Sequence, residues 1–286
     1  MDGIVLVDKP IFITSSDLVQ KVKKVLKEKV GHTGTLDYAA NGLMILTVGK
    51  GTRLTQFFQK LDKEYIATGK LGEITDTYDS QGKVVQTTSV EIQQEGLKKV
   101  VASFVGSYDQ LPPPYSAKRI QGKRAYQLAK KGINPDLKPV RVHIHNIEIL
   151  KVDIPFFTIK VSCSTGTYIR SLIKDIGDKV GCGAYMTELR RTKVGGFRVE
   201  EAVELDRLLK MEREEIERVV IPLEKALRFM EIINLTENYA KRFKHGQKFE
   251  VNMKSVDAVR VLDQQDNLIG IGRLEDGMLK PVVILG

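Results

Sequence analysis

Short apolar runs and alternating apolar and polar residues dominate much of the chain, and both patterns are typical of β-strands. A buried strand is predicted at the amino end, over residues 3–7, where Lys9 and Pro10 end it. Further strands are predicted over residues 43–48, 65–71, 140–150 and 156–164. The last two are separated only by a short turn around Pro155, so they are expected to pair with each other.

Helical spacing, with apolar residues three or four positions apart, interrupts this pattern at several points. A first helix is predicted to begin at one of the capping residues 14–16 and to end near Lys29. A longer apolar stripe predicts a helix over residues 167–180, and Gly181 marks its end. Shorter helices are predicted around residues 54–58, after an N-cap at Ser89, over 212–220, and from Pro222 to Phe229.

The pattern changes near residue 231, after which short strands and turns predominate. Strands are predicted over residues 248–251, 258–262, 268–273 and 281–285. A chain of 286 residues is long enough for two packed units. The sequence therefore predicts an α+β domain over residues 1–230, followed by a small all-β domain over residues 231–286.

Composition excludes several classes of protein. The chain is 42% hydrophobic and 28% charged, and it has no apolar run long enough to cross a bilayer, so no contact with a membrane is expected. Asp2 stands where a signal peptide needs basic residues. Cys163 and Cys182 are too few and too far apart for a disulfide framework or a thiolate metal site. These features predict a protein of the reducing cytoplasm.

The formal charge of +9 and the pI near 9.3 favour a polyanionic partner. Much of this charge lies between residues 118 and 141, where Asp136 is the single acid. The basic residues of this segment are Lys118, Arg119, Lys123, Arg124, Lys130, Lys131, Lys138 and Arg141. With Tyr115 and Tyr126 nearby, the segment predicts a phosphate-binding surface that offers aromatic rings for stacking. A solvated helix face explains the charge equally well.

The loop GHTGTLD, residues 31–37, is the best candidate for chemistry because glycines flank it and a strand follows it. In this loop Asp37 is a candidate nucleophile or acid–base group, and His32 is a candidate polar contact. Composition alone favours a simpler interpretation, in which the Asp37 side chain caps the next turn.

Three other segments have residue types found in known binding motifs, but not the spacing or the number of ligands that those motifs need. The segment GKGT, residues 49–52, lacks the glycine interval of a P-loop. Residues 76–82 lack the ligand spacing of a calcium loop and predict a hairpin turn. His143 and His145 share a strand face, but the sequence suggests no third metal ligand. A carboxylate with neither metal nor nucleotide motif indicates acid–base or nucleophilic work at carbon.

Taken in order, the motifs of this chain resemble the TruB family of tRNA pseudouridine synthases. They are VDKP at 7–10, GHTGTLD at 31–37, GKGTR at 49–53, KEY at 63–65, TDTYD at 75–79, PPPYSA at 112–117, GKRAY at 122–126, CSTGTYIRSL at 163–172, GCGA at 181–184 and LRRT at 189–192. Residues 232–286 resemble, more weakly, the PUA module of that family. One departure is Tyr38, where family members commonly have proline.

The resemblance implies a fold and an activity. The fold is a mixed, mainly antiparallel sheet with flanking helices, a basic RNA-binding insertion over about residues 112–141, and a PUA-like C-terminal domain. The activity is isomerisation of the T-loop uridine at tRNA position 55 to pseudouridine, by base flipping and without a cofactor or metal. The implied partner is tRNA, bound through its T-loop and acceptor arm by a monomer that needs no other protein.

The resemblance also implies roles for individual residues. Asp37 is the catalytic carboxylate, Arg170 is its ion-pair partner, and Tyr65 is the stacking surface for the extruded base. The other implied contacts are with the uracil for Tyr168 and Leu189, with the vacated T-loop space for His32, and with the RNA backbone for Lys118, Arg119, Lys123, Arg124, Lys130 and Lys131. Lys9 and Pro10 are expected to support the loop that carries Asp37.

Two rival interpretations stay open at this point. A tRNA-binding or tRNA-folding protein would use the same basic surface. A glycosidase acting on nucleosides would need a second catalytic acid, for which no loop of the sequence offers an obvious candidate.

Overall fold

The computed structural model describes residues 1–116, 118–120, 123–125, 128, 132–133 and 136–285. In chain order the strands are β1 (Gly3–Lys9), β2 (Val30–His32), β3 (Asn41–Val48), β4 (Lys63–Leu71), β5 (Glu73–Thr75), β6 (Val84–Thr87), β7 (Gly106–Gln110), β8 (Arg119–Ile120), β9 (Lys123–Arg124), β10 (Val140–Asp153), β11 (Phe156–Cys163), β12 (Ala184–Val194), β13 (Phe197–Arg198), β14 (Val203–Glu204), β15 (Ile221–Pro222), β16 (Glu231–Asn234), β17 (Phe249–Glu250), β18 (Val256–Leu262), β19 (Leu268–Glu275) and β20 (Met278–Ile284).

The helices are α1 (Ser15–Leu26), α2 (Thr55–Gln59), α3 (Gln94–Ala102), α4 (Ile169–Val180), α5 (Leu205–Leu208), α6 (Arg213–Val219), α7 (Leu223–Ala226) and α8 (Glu237–Lys244). Short 3₁₀ turns cover Gly49–Leu54 and Val199–Glu201. Among the described residues, no helix combines the length and the apolar character needed to cross a bilayer.

The large sheet has eleven strands, and its main path runs β14-β1-β3-β12-β4-β11-β10-β7. Strands β2, β13 and β15 pair at its margins. The pairs β1/β14 and β3/β12 are parallel, whereas the long central pairs are antiparallel. The predicted fold class, a mixed and mainly antiparallel sheet with flanking helices, is therefore confirmed.

Helix α4 covers one face of the large sheet. Leu172, Ile173 and Ile176 are fully buried on its apolar stripe, as its spacing predicts. The helix ends at Gly181, which adopts the left-handed conformation at φ 97°. The helix begins directly after Tyr168, so Arg170 lies in its first turn, on the side that faces the core.

A second sheet, ordered β16-β18-β19-β20-β17, occupies the C-terminal part. Four of its five strands were predicted from the sequence, but β16 and helix α8 were not; Ala240 and Phe243 of α8 join the core of this sheet. On the other side, Ile271 and Val283 pack in one cluster with Ile4 of β1. A separate β unit thus begins at β16 and contacts the first sheet, while the exact domain division at residues 230 and 231 stays a prediction.

The N-cap predicted at Ser89 is wrong. Helix α3 begins at Gln94 and its N-cap is Gln93. Val90 and Ile92 are partly buried against the core, so burial keeps the segment between Ser89 and the helix extended. The predicted hairpin turn at residues 76–82 is confirmed, because β5 and β6 form an antiparallel pair on either side of it.

A close approach between β3 and β12 fixes the end of the loop that carries Asp37. Gly42 pairs with Arg191 and has a φ of 110°. A methyl group at Gly42 would lie 2.3 Å from the carbonyl oxygen of Arg191. Glycine is needed here for both its backbone conformation and its lack of a side chain.

We expect Gly42→Ala to lower the free energy of unfolding by at least ~2 kcal/mol, because the methyl group meets backbone atoms that cannot rotate away. Gly106→Ala is the matched control: its φ is 106°, but no atom lies within 4 Å of the added methyl group. The control should lose about 1 kcal/mol. Denaturant unfolding of both variants measures the difference, and equal losses would contradict the steric argument.

The half-buried carboxylate of Asp175 in α4 makes the stability of the fold depend on pH. Burial raises the pKa of Asp175 from 3.8 to about 6, with the Tyr108 hydroxyl 3.4 Å from its carboxylate. The folded protein therefore binds more protons than the unfolded chain between pH 4 and pH 6, so the free energy of unfolding falls as pH rises through this window.

We expect Asp175→Asn to be more stable than the parent above pH 6, by on the order of 2 kcal/mol, because the amide carries no charge to desolvate. The difference should shrink to zero near pH 4, where Asp175 is protonated. Unfolding curves across this range test it, and a difference that does not vary with pH would contradict the assignment to Asp175.

Candidate active site

One cleft is lined by all six residues to which the family resemblance gives a role in catalysis or uridine binding. It has a volume of about 770 Å³ and is lined by the 32–38 loop, by β4, by the turn between β11 and α4, and by β12. The predicted residues in it are His32, Asp37, Tyr65, Tyr168, Arg170 and Leu189. Residues up to 157 positions apart in the chain thus meet in one place.

The loop with Asp37 is anchored to α1 through Ser15. The Ser15 hydroxyl donates to the Leu36 carbonyl and accepts from the Leu36 amide, both at 2.9 Å, and the contact is buried. Ser15 was considered in the sequence only as a possible helix cap. In the structure Thr14 is the cap of α1, which leaves the Ser15 side chain for the loop.

Arg191 holds the same loop from the side of β12. Its Nε donates to the Leu43 carbonyl at 2.7 Å, and its Nη atoms donate to the carbonyls of Gly34 at 3.2 Å and Thr35 at 3.4 Å. The side chain is buried and lies beside the Tyr65 hydroxyl. The sequence offered LRRT only as a motif, and no role was predicted for this arginine.

Asp37 and Arg170 form the predicted ion pair, with two parallel contacts. Arg170 Nε lies 2.9 Å from Asp37 Oδ2, and Nη2 donates to Oδ1 at 3.1 Å. The Arg170 side chain is only 7% exposed, whereas that of Asp37 is 37% exposed. This bidentate geometry fixes the plane of the carboxylate and leaves part of it open to the cleft. Both carboxylate oxygens of Asp37 thus contact Arg170, and the simpler interpretation of this side chain as a turn cap is wrong.

The remaining donors of Arg170 bind three other groups. Nη1 lies 3.4 Å from Asp79 Oδ2 and donates to the Thr77 carbonyl at 3.1 Å, and Nη2 donates to the Tyr115 carbonyl at 3.1 Å. Asp79 is itself fixed by the Thr77 hydroxyl at 2.6 Å. Sequence reasoning missed Asp79, because TDTYD predicted a hairpin turn and gave no sign that the turn reaches Arg170.

Apolar and aromatic side chains form the walls of the cleft. Tyr65 on β4 and Leu189 on β12 are buried, and Tyr168 is half-buried. Gln110 fixes the backbone of Tyr168, accepting from its amide at 2.8 Å and donating to its carbonyl at 3.1 Å. Burial raises the pKa of both tyrosines, so their phenols stay protonated at neutral pH. His32 lies at the end of β2 and is half-buried in the same cleft.

Two buried lysines support the cleft in different ways. Lys9 donates to the carbonyls of Pro10 and Ile13, both at 2.9 Å, and it does not line the cleft, as expected for a residue that supports the loops. Lys63 does line the cleft, and its ammonium binds the Gln59 carbonyl at 2.7 Å and the Thr165 hydroxyl at 3.0 Å. Burial lowers the pKa of each lysine to about 8.

The basic segment is described only in part. Lys118 donates to the Lys138 carbonyl at 3.1 Å. The backbones of β8 and β9 form a short hairpin, but the side chains of Arg119, Lys123 and Arg124 are not described. Lys130 and Lys131 lie outside the described residues, as does Tyr126. The RNA-backbone role of this segment stays a prediction.

In the part of the chain that the structure describes, no three His, Cys, Asp or Glu side chains are grouped closely enough to hold a metal ion. His143 and His145 do share a strand face, with ring centroids 4.8 Å apart, and both are exposed. His145 Nε2 lies 3.0 Å from Asp62 Oδ2.

A carboxylate paired with a buried arginine, inside a partly aromatic cleft of about 770 Å³, has the size and the lining of a binding site for a small molecule or a nucleoside. Three family models match the chain: the TruB family pseudouridylate synthase N-terminal domain over residues 22–169, the tRNA pseudouridylate synthase B C-terminal domain over 170–228, and the pseudouridine synthase II TruB C-terminal domain over 232–285. The chain belongs to the TruB family of pseudouridylate synthases, a family of isomerases.

Individual relatives agree with this assignment. The chain is 42% identical to the tRNA pseudouridine synthase B of Aquifex aeolicus over 291 residues, and 42% identical to that of Clostridium tetani over 292 residues; in each case both chains are fully covered. Among solved structures it is similar to a chain of a Cbf5–Nop10–Gar1 complex, with a TM-score of 0.76 and 26% identity, over 99% of this chain and 84% of that one.

We expect Arg191→Met to lower the free energy of unfolding by ~2–4 kcal/mol, because two carbonyls of the Asp37 loop and the Leu43 carbonyl of β3 lose their buried donor. Amide hydrogen exchange over residues 33–37 should accelerate as well. Arg190→Met is the matched control: Arg190 pairs with Asp8 at 2.7 Å, but its side chain is 39% exposed. That change should cost less than about 1 kcal/mol. Similar losses in both variants would mean that Arg191 does not hold the loop.

Proposed function

We propose that this chain converts the T-loop uridine at position 55 of tRNA into pseudouridine, with Asp37 as the catalytic carboxylate and without a cofactor. The observation that carries the proposal is the bidentate pair of Asp37 and Arg170, in which the carboxylate faces an aromatic cleft. Membership of the TruB family supports the reaction, and the names of the two relatives support tRNA as the substrate.

The reaction is an isomerisation that needs one well-placed carboxylate. The N1–C1′ bond of uridine breaks, the uracil turns, and a C5–C1′ bond forms, while the C5 proton is lost and N1 gains one. Asp37 can start this sequence by attacking C1′ or by removing the C2′ proton. Both routes require the carboxylate oxygen to approach the ribose from a fixed direction, which the two contacts with Arg170 provide.

The walls of the cleft suit a base that has left its helix. Extrusion costs the stacking of the uridine on its neighbours, and an aromatic surface restores part of that loss. Tyr65 supplies this surface, with Tyr168 and Leu189 beside it. Since the Tyr65 phenol is protonated in the free protein, it enters the reaction as a stacking and hydrogen-bonding group. His32, at the end of β2, would occupy the place that the extruded base leaves.

Binding of the whole tRNA is assigned to surfaces outside the cleft. The basic residues between 118 and 141 would contact the RNA backbone near the T-loop, and the C-terminal β unit would contact the acceptor arm. A monomer that needs no other protein is part of the same proposal. Its expected place of action is the cytoplasm, where tRNA is processed.

The test is tritium release from a tRNA transcript that carries C5-tritiated uridine, in buffer with a chelator and without nucleotide. We expect the parent to release tritium and Asp37→Asn to lose at least ~10³-fold in rate, because the amide can neither attack C1′ nor accept the C2′ proton. A transcript with cytidine at position 55, which keeps the label at its other uridines, should release no tritium, and this tests whether the uridine at position 55 is the one that reacts.

Two other variants serve as controls. Asp8→Asn alters a similar aspartate–arginine pair outside the cleft, so its rate should match the parent. Asp79→Asn alters the second carboxylate on Arg170 and should keep measurable release. Loss in Asp79→Asn with retention in Asp37→Asn would identify the other carboxylate. Binding of tRNA without any release by the parent would favour the tRNA-folding interpretation.

A further inference from the structure

Two aromatic rings lie exposed beside the cleft. Phe12 is 58% exposed and Tyr38 is 48% exposed, and their centroids are 5.8 Å apart at an interplanar angle of 52°. Tyr38 follows Asp37 directly and lines the cleft, so its Cα lies about 3.8 Å from that of the catalytic candidate. A neighbouring pair of exposed rings at the edge of a site indicates a surface for a partner.

The backbone holds Phe12 in an unusual conformation. Its φ is 62°, in the left-handed region where bulky residues are rare. Two contacts keep it there: the Phe12 amide donates to the Tyr38 carbonyl at 2.7 Å, and the buried Lys9 ammonium binds the carbonyls on either side, those of Pro10 and Ile13. The position of the ring is therefore set by the loop and not by burial of the side chain.

The exposed rings and the cleft walls are suited to different nucleotides. Tyr65 is buried and Tyr168 is half-buried within the cleft, whereas Phe12 and Tyr38 face solvent at its margin. A flipped uridine stays joined to its neighbours through the RNA backbone, so the next nucleotide must pass the margin. Extrusion also removes one stacking partner from that neighbour, which leaves a face of its base uncovered.

We propose that Phe12 and Tyr38 form a stacking site for the unpaired nucleotide next to the target uridine. This inference rests on the proposed function for its RNA substrate, and it adds a second base-binding site at the margin of the cleft. Stacking on an aromatic ring tolerates any base, so the site would position the RNA without reading its sequence. The net charge of +9 favours the same partner.

Removal of each ring tests the site. We expect Phe12→Gly and Tyr38→Ala to weaken tRNA binding by roughly 5- to 150-fold, the equivalent of ~1–3 kcal/mol per stacked base. Phe12 does not line the cleft, so Phe12→Gly should also leave the single-turnover rate at saturating protein nearly unchanged. The slope of binding against salt concentration should not change, since no phosphate contact is lost. Phe12→Tyr and Tyr38→Phe, which keep the rings, should bind like the parent.

Two controls separate binding from folding. Phe12→Gly suits the left-handed backbone, so its midpoint of thermal unfolding should equal or exceed that of the parent while its affinity falls. Phe156→Ala removes a ring of similar exposure, 41%, at the end of β11 remote from the cleft, and should bind like the parent. Weaker binding in Phe156→Ala, or affinity lost only together with stability, would overturn the proposal.

Fluorescence from 2-aminopurine at either neighbour of the target uridine gives a direct readout. We expect the probe on one side to be dimmer in the parent complex than in the Tyr38→Ala complex, because stacking on the ring quenches it. Equal fluorescence and equal affinity would overturn the stacking site. Light scattering that shows a dimer of the parent and a monomer of Tyr38→Ala would also overturn it, because the rings would then contact a second copy of the chain. Binding and fluorescence do not need turnover, so failure of the proposed reaction would appear separately, as absence of tritium release.

Discussion

The guanidinium of Arg170 joins four separate parts of the chain at the cleft: the Asp37 loop, the hairpin turn with Thr77 and Asp79, the segment at Tyr115, and helix α4 on which it lies. A buried cation is tolerated only when its charge and its donors are matched. Each of these contacts therefore depends on the others. The site can be complete only when the large sheet has brought all four parts together.

The loop that carries Asp37 is held in place mainly through its own backbone groups. Ser15, Arg191 and Gly42 fix the loop from three directions. The side chains of Ser15 and Arg191 bind backbone atoms of the loop, and Gly42 lets its end lie against the backbone of β12. The side chains proposed to contact the substrate are therefore not needed to hold the loop in place. Their orientation is set by elements whose own stability comes from apolar packing elsewhere in the sheet.

Local pattern predicted much of the fold, because alternation and helical spacing report burial on one side of an element. The stripe of α4 and the strands β10 and β11 were predicted close to their bounds. Ser89 was wrong as a helix cap, because burial of Val90 outweighed a local preference. The pairing of Asp37 with Arg170 came from family resemblance, since no local pattern links residues 133 positions apart. Asp79 and Arg191 were missed for the same reason, as their partners lie in distant segments.

The contact between Arg170 and the Tyr115 carbonyl has a consequence for selectivity. Tyr115 lies just before the basic segment, so the arginine that orients the proposed catalytic carboxylate is hydrogen-bonded next to the part of the chain expected to bind the RNA backbone. On the proposed function, binding of phosphates far from the uridine would help to align Asp37 with the ribose, and so would raise the rate of the reaction as well as the affinity. A free nucleoside bound in the cleft would not engage that linkage, so on the proposed function the size of the RNA would help to distinguish the substrate from free uridine.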